Sequence, residues 1–213
     1  MRSEYIFKIV PYIPSGTDNA EIANDSSKEW SEAYKSYKVN LRKYLYTQQQ
    51  GRCAFCRCRI SRGTEDITLE HLAPQSVYVQ YRALPENLVA ACIKCNRPKN
   101  KEETFLNPAA AAISFPNSSN GFIIVNPYYD NYEDYIEFLD DVIIQAKPNT
   151  GDKGKNTIDF YNLTRPELAE TRAIEFRLNY KNLRHKLMQQ LVENPSDDII
   201  REIIDDMKNW APL

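Results

Sequence analysis

The spacing of apolar residues changes from one stretch of this chain to the next, and it separates extended from helical segments. The opening EYIFKIVP alternates apolar and polar positions loosely, as a short strand does, and IPSGTDNAEIANDSSK after it is polar and turn-rich, which predicts a loop. From Glu29 to Gln50, the residues Trp30, Ala33, Tyr37, Leu41, Tyr44 and Leu45 recur at helical spacings, with Gly51 placed to stop the helix. DITLEH has the strand period of two, which sends Glu70 and His71 to opposite faces, and Pro74 favours a stop soon after. NPAAAAISFPNSSNG reads as a connector and FIIVNP as a short strand. YIEFLDDVIIQAK fits two short strands by its Ile and Val content and one helix by its length. The clearest helix begins at NLTRPELAETR. Thr164 and Glu167 have capping-box spacing, Pro166 falls in the first turn, and Leu168, Ile174, Leu178, Leu183 and Leu187 supply a broken apolar stripe. Pro195 ends it. Ser196 or Asp197 then caps a last helix through Trp210, with Ile199, Ile200, Ile203, Ile204 and Met207 on one side. No internal repeat is present.

Mixed short strands and helices make this an α+β chain. Its 213 residues, 42% of them hydrophobic, are enough to bury a core. The net charge of −2 rules out a uniformly basic coat, no segment is long and apolar enough to span a bilayer, and the N-terminal stretch lacks a signal-peptide core. These features point to the reducing cytoplasm, where five cysteines suggest metal ligation more than disulfides. The fourteen tyrosines are scattered and suggest no function.

All five cysteines fall between Arg52 and Glu103. CAFC supplies Cys53 and Cys56, and CIKC supplies Cys92 and Cys95. Two such pairs match a tetrahedral four-thiolate zinc site: each short loop converges two sulfurs on one ion, and the long interval lets the pairs come from separate elements. Cys58 is left over, as an alternative to Cys56 or as a core or surface thiol. A closed site has no open position for water, so this zinc folds the module and leaves chemistry to its neighbours. Those neighbours are Glu70, His71, Asn87, Asn96 and Lys99.

The order Cys-x-x-Cys, Glu-His, Asn-Leu, Cys-x-x-Cys-Asn-x-x-Lys resembles the HNH endonucleases of the His-Me finger group, over about Arg52 to Lys101. The resemblance implies a zinc-stabilised ββα-metal nuclease core at 51–105, an N-terminal arm and helix at 1–50 suited to partner contact, and a mixed then helical region at 106–213. It also implies roles. His71 activates water, Asn87 orients the histidine, and Glu70 and Asn96 reach a catalytic divalent ion. Many members have Asp or His where this chain has Glu70, and the Glu/Asn pair leaves the preferred ion open between Mg²⁺ and Mn²⁺. The outer motifs VNPYYDNYEDYIEF and TIDFYNLTRPELAETR resemble the PtuB-like HNH nucleases of Septu and related retron-linked antiphage systems. That narrower likeness implies an ABC-type or SMC-like (PtuA-like) ATPase as partner.

The residue chemistry is consistent with phosphodiester hydrolysis. A histidine takes a proton from water near neutral pH, and a carboxylate with an amide oxygen suits a hard cation, apart from the soft thiolate site. Arg52, Arg57, Arg59, Arg62, Arg82, Lys94, Arg97, Lys99 and Lys101 crowd this one segment; of these, Arg82, Lys94, Arg97 and Lys99 are the candidate phosphate contacts. His185, in LRHKL, has no partner motif, and Arg165 is expected to pack. DNA as substrate comes from the resemblance alone, because nothing in the residues reads a 2′-hydroxyl. Two other functions use parts of the same sequence: a zinc-stabilised nucleic-acid-binding module without catalysis, and an adaptor acting through its helical tail.

Overall fold

The computed structural model describes residues 5, 7–26, 28–61, 67–96, 103–139 and 141–176. The N-terminal stretch keeps its alternation, with Phe7 and Ile9 buried and Lys8 and Val10 exposed. It forms no ladder, however; Ile9 N–H donates to Pro127 O at 3.0 Å. The expected loop that follows is a helix, α1 (Gly16–Asp25). Ser15 and Asp18 form a capping box, in which the serine side chain accepts from Asp18 N and the aspartate accepts from Ser15 N at 2.9 Å. Two orphan donors are thereby satisfied, enough to start a helix in a segment with little apolar content. Burial pushes the Asp18 carboxyl up, but hydrogen bonds from Tyr12, Asn40 and Ser15 outweigh it and pull the group from 3.8 to about 2. A carboxyl held below its unfolded value stabilises the fold in full above that value and withdraws the support as pH falls through the folded one. Asp18→Asn should therefore flatten the Tm profile between pH 4 and pH 2, a window set by those two values, as read by thermal melts across that range.

The second helix is shorter than its periodicity suggested: α2 spans Lys35–Gln48, and residues 30–33 are turns leading to Tyr34 at φ 58°. Asp25 accepts from Tyr34 N at 2.8 Å, and Glu21 accepts from Tyr37 N at 2.7 Å. The carboxylates of α1 thus serve as the N-terminal cap that α2 lacks in its own sequence. Tyr37, Leu41 and Leu45 are fully buried along one face. The helix ends three residues before the expected stop, through a left-handed turn of Gln50 at φ 54° and Gly51 at φ 69°, whose N–H groups donate to Thr47 O at 3.1 Å and Tyr46 O at 2.8 Å.

The centre of the fold is an antiparallel pair, β1 (Ile67–His71) and β2 (Leu88–Cys92), with Ile67 opposite Cys92 and His71 opposite Leu88. Gln49, just past α2, is completely buried, and its side chain acts as a third strand edge. It accepts from Ala90 N at 2.9 Å and donates to Ala90 O at 2.8 Å. The segment expected to be a connector contains a short helix, α3 (Pro108–Ile113), capped by Asn107; FIIVNP forms no strand, only one bridge between Phe105 and Phe122. YIEFLDDVIIQAK resolves into two strands, β3 (Ile136–Leu139) and β4 (Ile143–Ala146), paired in a second antiparallel sheet. After α4 (Lys153–Phe160), a helix begins at Pro166 and is described through 176. Leu168 is buried on it as expected, but Ile174 is exposed, and the buried side is completed by Arg172 and Glu175. The continuation of that helix, the last helix, His185 and Trp210 lie outside the described residues. One core cluster draws Tyr5, Phe7, Leu41, Val89, Tyr132 and Leu168 together from both ends and the middle of the chain. None of the described helices is long and apolar enough to cross a membrane.

Candidate functional site

The cysteine frame closes as its spacing predicts. Cys53 and Cys56 lie in a knuckle clasped by the Arg52–Arg59 bridge and docked on β2 through Ala54 N to Ala90 O at 3.0 Å. Cys92 ends β2, and Cys95 lies in the turn that follows. The four Sγ atoms all lie within 4.8 Å of one another, and Cys56 and Cys92 are 3.7 Å apart. Zinc–sulfur bonds of about 2.3 Å arranged tetrahedrally need sulfurs about 3.8 Å apart, so this cluster fits the ion. Cys58 is buried outside the cluster, and its backbone carbonyl accepts from Cys53 N at 2.9 Å. Burial pushes the Cys53 thiol well above its ordinary range, so its thiolate form needs a cation beside it.

Two arginines supply further positive charge. A zinc ion with four thiolates carries a formal −2. Arg165 Nη2 points at Cys95 Sγ from 3.5 Å and donates to Lys94 O, while its Nη1 donates to the carbonyls of Tyr161 and Asn162. The Arg57 guanidinium is fully buried between the rings of Phe7 and Tyr132, 3.7 Å and 3.9 Å from their centroids. Burial pulls it down to about 10, still protonated at neutral pH, and its charge acts on Cys53 and Cys56. Its three side-chain nitrogens have no hydrogen-bond acceptor, so cation–π contact and the thiolate field are what hold it. Arg52, also expected on a phosphate-binding surface, is buried too. Its Nη1 pairs with Glu175 at 2.9 Å, and the other oxygen of Glu175 accepts from Arg59 N at 2.7 Å. The helix at 166–176 is thereby bolted to the knuckle. Glu175→Ala would take one carboxylate from Arg52, which keeps Arg57 O at 2.8 Å, and free the Arg59 amide; we expect a loss of about 2 kcal/mol, in the range for a hydrogen bond to a charged group, read from the urea midpoint.

His71 and Asn87 are buried beside this frame, at 6% and 0% exposure. His71 closes β1, and its Nε2 is 3.0 Å from Arg82 O. A carbonyl oxygen only accepts, so Nε2 carries the proton and the lone pair of the neutral ring is on Nδ1. The ring stands edge-on to Trp30 at 4.6 Å. Asn87 lies in a short 3-10 turn at Pro85–Asn87, and the hydrogen bonds of its amide go to the backbone. It accepts from Ala73 N at 2.7 Å and donates to Tyr81 O at 3.0 Å. It thus ties the end of β1 to the turn whose next carbonyl, that of Arg82, meets the histidine. The same loop is held by Tyr37 Oη to Ala83 O at 2.8 Å and Tyr128 Oη to Pro85 O at 2.7 Å. The sequence marks Tyr37 only by its helical spacing, and no spacing marks a hydroxyl that caps a remote carbonyl.

The remaining candidates are less closely gathered. Glu70 is 7% exposed, opposite Val89, and its charge acts on the Tyr161 hydroxyl. Asn96 follows Cys95 with its N–H on Cys92 O at 3.0 Å and lines a groove along β1. Of the candidate phosphate contacts, Lys94 is exposed and bonds Thr171, and Arg82 is half-buried with Nη1 on Lys28 O at 3.0 Å. Arg97 and Lys99 lie outside the described residues, as do Arg62 and Lys101.

Comparison with known proteins adds a relationship to this geometry. A curated protein of Bacillus mycoides (strain KBAB4), named Septu protein PtuB, is 30% identical over 158 residues, which cover 67% of this chain and 52% of that protein. The chain is PtuB-like. A second Septu protein PtuB, from Bacillus thuringiensis, is 22% identical over 143 residues, covering 67% of this chain and 46% of the relative. The chain therefore spans about half the length of the PtuB proteins it matches. No family model matches it.

Proposed function

We propose that this PtuB-like chain is the nuclease of a Septu-type antiphage defence pair, an HNH endonuclease that hydrolyses phosphodiester bonds of DNA. The observation that carries the reading is the imidazole of His71. It is held through Nε2 by a backbone carbonyl, with its basic nitrogen at Nδ1, at the end of a β-hairpin closed by four converging cysteines. In this reading His71 Nδ1 takes the proton from the attacking water, and the Arg82 carbonyl stabilises the imidazolium that forms. Asn87 acts as a positioning residue, because it fixes the turn that presents that carbonyl. Glu70 and Asn96 are the oxygen donors proposed for Mg²⁺ or Mn²⁺, which would stabilise charge on the phosphate and the leaving oxygen. The four-cysteine site takes no part in the reaction and holds the hairpin in register.

The proposed partner is a PtuA-like ATPase. The support is the likeness to the two Septu proteins PtuB. The test is incubation of the purified chain, with and without that ATPase, on plasmid and single-stranded DNA in Mg²⁺ or Mn²⁺. Metal-dependent nicking or linearisation is expected. DNA binding without cutting under every condition would favour the non-catalytic zinc module instead.

A further inference from the structure

Next to His71 the surface opens into a groove of about 690 Å³ between α2 and β1. Helix α2 contributes Val39, Arg42 and Lys43, which share one face by their spacing of three and four. Strand β1 contributes Thr68 and its neighbours, and Trp30 and Asn96 complete the lining. Trp30 is the same ring that meets His71, so the groove shares a wall with the imidazole.

Among the described residues no carboxylate pairs with Arg42 or Lys43, and Arg42 Nε is buried without an acceptor. Lys43 is exposed, while Arg42 is half-buried and burial pulls its guanidinium below the ordinary range. A desolvated cation with nothing opposite it is costly unless an anion arrives to pair with it. The neighbouring cation of α2 is different: Lys38 Nζ donates to Trp30 O at 2.7 Å and lies 4.9 Å from the Trp30 ring centroid, so it serves to hold the wall. The basic residues singled out in the sequence came from the cysteine-bearing segment. Arg42 and Lys43 lie outside it, on the preceding helix.

We propose that this groove carries the phosphodiester backbone of a single nucleic-acid strand toward His71, with Arg42 and Lys43 on successive phosphates. The proposal rests on the nuclease reading for its direction, but binding tests it without cutting. The probe is a fluorescein-labelled oligonucleotide, in matched single-stranded DNA, single-stranded RNA and duplex DNA forms. The protein is the full chain carrying His71→Gln, with its ATPase partner where the complex is isolated. Arg42→Gln/Lys43→Gln is expected to weaken single-strand binding about tenfold or more at low salt. It should also reduce the salt slope by about 1.4, the value for two lost single-strand contacts. Val39→Glu, which sets a carboxylate in the groove at a site 42% exposed, should weaken binding while leaving both cations in place. Lys155→Gln on α4, with the same charge change as Lys43→Gln, should leave binding unchanged. Loss on DNA, on RNA or on both supports the groove and identifies the strand it takes. Single-strand affinity and slope that survive both groove variants would overturn it, as would losses confined to duplex. Failure of the parent chain to cut DNA would count against the His71 reading and leave the binding result standing.

Discussion

Cys92→Ser is expected to unfold the protein. Zinc binding to four thiolates contributes an apparent ~10–16 kcal/mol, as much as or more than the ~5–15 kcal/mol by which a whole domain is stable. Cys92 is the last residue of β2 and the partner of Ile67 in the central hairpin, so loss of the ion at this corner also loosens the ladder that carries His71. Metal analysis should find close to one zinc per wild-type chain and far less in the variant, with circular dichroism showing loss of the cooperative transition. Cys58→Ser is the control: its sulfur lies outside the cluster, and zinc content should stay at the wild-type level. A Cys92→Ser protein that melts at the wild-type temperature would refute a structural metal here.

His71→Gln and His71→Ala should both lower the cleavage rate by about 10²–10⁴, the usual cost of losing a general base. The two differ in stability. The alanine variant leaves space beside Trp30 where the ring packs at 4.6 Å, and it should melt earlier than wild type. Glutamine keeps most of the volume and can donate its amide to Arg82 O, so it should hold wild-type zinc and melt near the wild-type temperature. Cleavage within a few-fold of wild type by the glutamine variant would remove His71 from the reaction. Comparable loss in both variants, with only alanine destabilised, separates chemistry from folding.

What the sequence made legible was whatever depends on short spacing. The paired cysteines converge as CAFC and CIKC imply, Gly51 takes a positive φ in the turn that follows α2, and β1 stops after His71 as the nearby proline suggested. What it concealed depends on partners far along the chain. Arg52 and Arg57 read as surface charge because they stand among other basic residues, yet the acid that binds one and the rings that enclose the other lie about 120, 50 and 75 residues away. The two side-chain hydrogen bonds of Asn87 go to the backbone of neighbouring turns, which no motif encodes. Helix α1 was hidden for a different reason. Its apolar content is low and its capping box ends in aspartate in place of the usual glutamate or glutamine, so the polar composition concealed a start signal that Ser15-x-x-Asp18 does contain.

The ring sandwich around Arg57 bears on how the chain acquires its structure during synthesis. The guanidinium in the metal-binding knuckle is enclosed by Phe7, which emerges from the ribosome well before it, and by Tyr132, which emerges well after. The four sulfurs are all available once residue 95 has been made, but the wall that shields this arginine from water is complete only after residue 132. Such contacts between distant parts of a chain are slow to form. In a nascent chain paused between those points, the metal site would be loaded but still wet, with Arg57 exposed and the hairpin unsupported. Maturation of the site would then be timed by translation of the segment downstream of it.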